Sequence, residues 1–441
     1  MDTSQTAQIA MMERGKTALI HDPREGDKTK ITLVKAKGSL VWDDAGREYL
    51  DCTSQAWSNS LGANDDRVVE AAIAQLRDIT HARPNFNTIP LLKLTAKLAE
   101  ISPGDLNRIG YCLHGSLAVE MALKLAFKNK PGARNVIVMQ DSYHGRSLAT
   151  MAASWPHPNN PFHALQPQCF TRVPHPDSYR PRFGMDLESE TRLCLSLLED
   201  TITKGVDGGV AALIIEPILG NGGHIIVGKA FLQGLRDVCD RHNIVLIFDE
   251  IQSCFGRTGE MFAADYYGVT PDIMTFGKGI SGGFPLAGIM ASDRLNGFSS
   301  GEDALTFGQF PVAMAAAVAT IDAIIADDLC GKARALGAYA TQRLHEMSER
   351  HPLIGDIRGP GLFVSIELVK DRVTKEAAPK AASEVYKRGV EKGVLFGESR
   401  YAGLGNLIKI KPPLDCSHAQ MSHALDVFDA VLGSIEADGI A

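Results

Sequence analysis

From about residue 108 the chain alternates short apolar runs with amphipathic ones, and no other feature limits its possible folds as strongly. The runs RIGYCL, NVIVMQ, AALIIEPI, IVLIFDE and DIMTFGK are strand candidates. Between them, SLAVEMALKLAFKN and AFLQGLRDVCDRHN carry apolar residues at three-to-four spacing, the period of a helix with one buried face. Strands that are apolar on both faces and joined by helices predict a mostly parallel sheet covered on both sides. Such sheets bind ligands beyond the carboxyl ends of their strands. The residues that follow each run are therefore the ones to read for chemistry.

The flanking regions read differently. SLVWDDAG and REYLDC form a two-strand signal around a turn at Asp44, Ala45 and Gly46, and DDRVVEAAIAQLRDI follows with helical spacing. Beyond about residue 320, AMAAAVATIDAIIADDL reads as a long helix. DIRGPGLFVSIELV reads as two strands around a Gly-Pro-Gly turn, AASEVYKRGVEKG as a helix, and LIKIKPPL as a strand stopped by two prolines. The expected organisation is an N-terminal segment (1–60) belonging to a small domain, a large α/β domain (61–320) and a C-terminal α+β domain (321–441).

Composition matters mainly for what it excludes. A formal net charge of -7 provides no basic field for nucleic acid or an anionic membrane. The 8 cysteines form no C-x-x-C pair, and the 13 histidines show no H-E-x-x-H spacing, so no metal site is expected. Cys112, inside IGYCL, reads as a reduced core thiol. The opening MDTSQTAQIAMMERGK has no long apolar stretch, and no run reaches the length of a membrane span. The expectation is a protein of the cytoplasm whose partners are small molecules.

Four clusters at strand ends carry the chemistry. Asp249 and Glu250 close IVLIFDE, where a carboxylate is costly without a donor or charged partner; the bland alternative is a helix cap or a surface strand end. Lys278 stands between Gly277 and Gly279 at the end of DIMTFGK, with Gly282 and Gly283 just beyond. These glycines let the backbone fold tightly around a side chain or ligand. In LHGSLAVEMALK, Gly115 and Ser116 open a helix after a strand, so their amides and the helix dipole can hold a phosphate. Tyr143, in DSYHGRSLA, is placed to stack on a planar ring or to pack as a core or rim residue.

Three segments taken together, IIEPILGNGG, FDEIQSCFGRTGEMFAADYYGVTPDIMTFGKGISGGFPLAG and HGSLAVEMALK, resemble the class-III aminotransferases, pyridoxal-phosphate enzymes of fold type I. The resemblance runs from the SLVWDDAGREYLDC strands to the closing helix. It implies an aspartate-aminotransferase-like fold, with a large mostly parallel-sheet domain and a smaller α+β domain. It further implies that Lys278 holds pyridoxal 5'-phosphate as a Schiff base and shuttles a proton between substrate and cofactor. A buried carboxylate keeps the ring nitrogen protonated, so that the ring can act as an electron sink; Asp249 is that carboxylate by the resemblance. Gln252 contacts the phenolic oxygen, Tyr143 stacks on the ring, and Gly115 and Ser116 bind phosphate. Glu216 supports the carboxylate network. Thr306, in ALTFGQFP, matches the threonine that reaches the phosphate of the neighbouring subunit, which implies a homodimer with sites at its interface. His144 and Arg257 also match, in supporting or structural roles.

Departures from the family pattern bear on substrate. His114 and Leu117 replace the usual residues around the start of the phosphate helix. Lys409, in LIKIKPPL, stands where members acting on α-amino acids carry an arginine. Lysine offers a carboxylate a point charge instead of a bidentate fork; equally, Lys409 reads as a strand-edge lysine facing solvent. Trp57, in CTSQAWSNSLG, matches a tryptophan that faces substrate in members resembling aminocaprolactam racemases. HPLIGDIRGPGL looks like the branch that also contains dialkylglycine decarboxylases. These features point to a neutral or cationic cyclic amine, or an amino sugar. Transamination leads, with racemisation or epimerisation and decarboxylating transamination as alternatives on the same scaffold.

Overall fold

The computed structural model describes residues 31–155, 160–399 and 404–440, with isolated positions 11, 14 and 20. Most of MDTSQTAQIAMMERGK therefore lies outside the described residues. At the centre is a seven-stranded sheet. Its order from one edge is Arg108–Cys112, Ala287–Ala291, Ile273–Phe276, Val245–Asp249, Val210–Ile215, Asn135–Met139 and Phe170–Val173. All strands run parallel except Ala287–Ala291, which is antiparallel to both neighbours. Every residue of Val210–Ile215 and Val245–Asp249 is buried, because helices cover both faces. All five apolar runs expected as strands are in this sheet.

Two of its strands had no clear sequence signal. Phe170–Val173 is an edge strand, mostly half-buried, without a continuous apolar run. Ala287–Ala291 follows directly on the glycine-rich loop, which hides its start. The helix Gly115–Asn129 turns Ala118, Val119, Ala122 and Leu125 into the core. Lys229–Arg241 does the same with Phe231, Leu232, Leu235 and Val238. Each valine, leucine or phenylalanine among them contributes about 1.5–3 kcal/mol when fully buried.

The smaller part draws on both ends of the chain. Leu40–Asp43 and Glu48–Asp51 form the expected hairpin; Asp43 Oδ1 accepts from the Ala45 and Arg47 amides at 3.0 and 2.8 Å and so fixes its turn. Glu48–Asp51 then pairs in parallel with Val394–Leu395 from the far end of the sequence. A second sheet holds Ile354–Arg358, Val364–Asp371, Leu407–Ile410 and Gly397–Ser399 in that order. The Gly-Pro-Gly turn connects its first two strands. Gly359 there has φ 123°, and a Cβ would lie 1.8 Å from the Phe363 carbonyl oxygen, so only glycine fits. The helix Pro311–Ala326 is apolar nearly all round and packs on Asp66–Asp78 and Ile89–Ile101; residue 320 falls inside it. Among the described residues, no helix is long and apolar enough to cross a membrane.

Candidate active site

Adjacent parallel strands bring the two principal residues to the same edge. Asp249 ends Val245–Asp249 and sits in register with Thr275, three residues before Lys278. The Asp249 carboxylate is 5% exposed. Its Oδ1 accepts from Thr275 Oγ1 at 3.0 Å and from the Ile251 amide at 3.2 Å, while Oδ2 lies 2.7 Å from His144 Nδ1. A buried carboxylate needs such partners, and here they also fix its plane. Glu250 points elsewhere: it accepts from the Ala263 and Ala264 amides at 2.6 and 2.7 Å. The helix-capping alternative thus holds for Glu250 but not for Asp249.

Lys278 has φ 44°, a left-handed backbone that costs a residue with a Cβ of order 1 kcal/mol or more. The loop is held close: a Cβ on Gly279 would lie 2.2 Å from Ser60 Oγ. Burial pushes the Lys278 ammonium below its ordinary pKa, and the nearby Asp249 and Glu216 carboxylates oppose that shift. A lysine poised in this way can give up a proton and act as an amine nucleophile. Glu216 accepts from the Tyr143 amide at 2.8 Å and the Gly220 amide at 3.0 Å. Burial raises its pKa to about 7, with His144 opposing and Asp249 adding to the rise.

These residues surround a cavity of about 200 Å3. Its lining includes Gly115, Ser116, Tyr143, Glu216, Gln252 and Lys278, together with Asp249 and His144. The 15-residue helix Gly115–Asn129 opens onto it, so its first amides face a space that can take an anion. Ser116 Oγ already accepts from the Arg146 amide at 2.9 Å, which leaves its O–H to donate. His114 caps this helix without a side-chain hydrogen bond. Among the described residues, nothing partners the buried His144 Nε2. Anion-binding amides, a buried carboxylate, a flanking tyrosine and a poised lysine around one small space fit pyridoxal 5'-phosphate.

Three expected residues do not line that cavity. Thr306 is exposed on the segment before Pro311. Trp57 and Lys409 are one contact removed from it, since Lys409 reaches Gly220, which abuts the lining residue Gln252, and Trp57 packs beside Lys409. Lys409 is 0% exposed, which removes the solvent-facing alternative. Its Nζ lies 3.3 Å from the Gly220 carbonyl oxygen and 5.2 Å from the Trp57 ring centre. Burial, with Lys278 adding, lowers its pKa to about 7. The sequence reading missed Lys411, also 0% exposed, whose Nζ lies 4.4 Å from the Trp57 ring and 3.1 Å from Gln252 Oε1. Period-two spacing in LIKIK was the available signal, since residues 409 and 411 share one face of a strand. Arg257 is structural: it donates to the Pro412 carbonyl at 2.6 Å and to the Leu362 carbonyl and Ser54 hydroxyl at 3.2 Å.

A mostly parallel sheet with a lysine and a carboxylate on neighbouring strand ends is the architecture of pyridoxal-phosphate enzymes of fold type I. Within that class the chain belongs to the class-III aminotransferases, whose family description matches residues 22–432. It is 35% identical over 414 residues to a leucine/methionine racemase of Thermococcus litoralis, covering 92% of this chain and 91% of that one. It is 34% identical to an acetylornithine aminotransferase of Methanopyrus kandleri, covering 78% and 82%. A Bacillus anthracis aminotransferase superposes with TM-score 0.88 at 29% identity, covering 99% and 100%. An amine transaminase from an uncultivated Pseudomonas species, solved with pyridoxal phosphate bound, gives TM-score 0.87 at 28% identity over 95% and 97%. The protein is a pyridoxal-phosphate-dependent enzyme of the aminotransferase class.

Proposed function

We propose that the enzyme moves an amino group from an amine donor to a carbonyl acceptor in two half-reactions. The convergence of Lys278, Asp249 and His144 on one cavity carries this reading. When bound, the cofactor supplies an electron sink that stabilises negative charge on the substrate carbon. The protein residues do the rest. Lys278 holds the cofactor and moves the proton at the reacting carbon. Asp249, fixed by His144 and Thr275, keeps a negative charge opposite the ring nitrogen. Tyr143 covers the ring face, Gly115 and Ser116 hold the phosphate, and Gln252 donates to the phenolic oxygen. Glu216, held by the Tyr143 and Gly220 amides, positions the wall beside them. Thr306, exposed on this chain, is assigned to the phosphate of a partner subunit, so the working form is a homodimer.

For substrate, Trp57 and Lys409 are assigned to the distal side of the site. The sequence pointed to a neutral or cationic cyclic amine, or an amino sugar. Lys409, whose Nζ lies beside the indole and keeps part of its charge near neutral pH, disfavours a cationic ring, so the reading narrows to a neutral ring or one bearing a carboxylate. A racemase or epimerase is the second reading, favoured by the likeness to the Thermococcus litoralis racemase; decarboxylating transamination ranks third. Single-turnover mixing with glutamate, alanine, ω-amino acids, aminocaprolactam and amino sugars separates them. Stable conversion to the pyridoxamine form identifies transamination and the donor class. Solvent deuterium entering the α-carbon without ketone formation would instead establish racemisation, and carbon dioxide release would establish the third.

A further inference from the structure

A glutamine offers a carbonyl at one end of its amide and two N–H donors at the other, and its surroundings decide which end faces a ligand. At Gln252 the surroundings are unusually directive. Lys411 Nζ donates to Oε1 at 3.1 Å, which commits that end of the amide to the lysine. On another side the backbone closes in, since a Cβ on Gly220 would lie 2.0 Å from the same oxygen. Gly220 is itself fixed at both ends: its amide donates to Glu216 Oε2 at 3.0 Å, and its carbonyl accepts from Lys409. The amide oxygen is thus enclosed by Lys411 and Gly220. Gln252 lines the cavity, so Nε2 is the end left to face it.

Lys411 is held as firmly as the group it holds. Its Nζ sits 3.6 Å from the centre of the Phe363 ring and 4.4 Å from that of Trp57. Among the described residues it makes no ion pair. A buried lysine without a carboxylate is costly, and here Lys409, Arg257 and Lys278 add like charge while Glu216 alone opposes. Burial first, and then those cations, push its pKa well below the ordinary value. Even as a neutral amine it keeps N–H donors for Oε1.

We propose that Lys411 is a positioning residue of the cofactor site, fixing the Gln252 amide so that Nε2 donates toward the phenolic oxygen of pyridoxal phosphate. The proposal rests on the reading above, which puts that oxygen beside Gln252. A hydrogen bond to the phenolic oxygen makes it a poorer acceptor for the neighbouring Schiff-base proton, so that proton is lost at lower pH. Losing the orientation therefore shifts the titration upward.

The test is an absorbance titration against pH of the cofactor-loaded protein, which needs no substrate. Lys411→Met should raise the midpoint by about one pH unit. Gln252→Leu should raise it at least as far, and the double variant no further than Gln252→Leu alone. Gln252→Glu keeps Lys411 and presents a carboxylate oxygen to the cofactor, so it too should raise the midpoint; this variant tests the geometry even if Lys411→Met fails to fold. A shift in Gln252→Leu with none in Lys411→Met overturns the proposal alone, as do fully additive shifts. No shift in Gln252→Leu overturns the placement of Gln252, and the proposal with it.

Discussion

At the residue scale, Lys278 and Lys409 are two buried lysines with different consequences. Lys278→Ala should abolish the visible Schiff-base absorbance and lower turnover by at least about 10²–10⁴-fold, the worth of a positioned acid–base group. Its fold should persist, because the substitution removes a buried cation; absorbance, activity and melting temperature check the three outcomes. Lys409 provides a pH test. Its pKa falls from 10.5 in the unfolded chain to about 7 in the folded one. A group depressed in this way binds its proton less tightly when folded, so its cost grows as pH falls from 10.5 to 7. Lys409→Met should therefore stabilise the cofactor-free protein little at pH 10 and most at pH 7, by up to about 5 kcal/mol. Urea midpoints of both proteins at the two pH values check this, and a pH-independent difference would contradict it. Glu216 gives a third case. Both of its oxygens accept backbone N–H groups, so Glu216→Gln sets an amide donor against a donor and should cost about 1–3 kcal/mol in chemical denaturation.

At the element scale, the segment Ser54–Trp57 explains how an aromatic ring reaches the two lysines. Its four residues have φ of 46°, 49°, 59° and 66°, a left-handed turn built without glycine. Each such residue costs about 1–2 kcal/mol, so other contacts must hold the turn. Asp51 supplies most of them: its carboxylate accepts from the Thr53 amide and hydroxyl at 2.8 and 2.6 Å, and from the Gln55 amide and side chain at 3.0 Å. Ser54 Oγ ties the turn to the Lys411 carbonyl at 2.6 Å. Asp51→Ala should then destabilise the protein by about 2 kcal/mol or more, whereas Ala56→Gly, which relieves one strained position, should leave it as stable or slightly more so. Calorimetric melting of the two variants checks both signs. None of this was legible in CTSQAWSNSLG, because a turn with alanine and tryptophan at positive φ carries no glycine or asparagine signal.

At the scale of the whole molecule, the exposure of Thr306 bears on assembly. The protein should sediment at twice its chain mass. Thr306→Ala should leave that mass unchanged while the protein loses cofactor faster on dialysis. A monomer that retains full activity would remove the partner-subunit role. The parallel sheet was legible because its central strands are apolar on both faces, a pattern that few other folds require. The edge strand Phe170–Val173 was not, because half-buried edges permit mixed residues. The pairing of Glu48–Asp51 with Val394–Leu395 was equally out of reach, since contacts across more than 340 residues leave no local period.

The sequence by itself determined the βα alternation, the family resemblance, and the strand-end positions of Lys278, Asp249, Glu216 and Gln252. These depend on local periodicity and on glycines, which act within a few residues. Only the tertiary structure decided what surrounds them: His144 on Asp249, Glu250 turned away to cap a helix, Lys409 buried instead of facing water, and Lys411 behind Gln252. Those relations join segments distant in the chain. Their energies come from burial and hydrogen bonding that exist only once the strands are side by side.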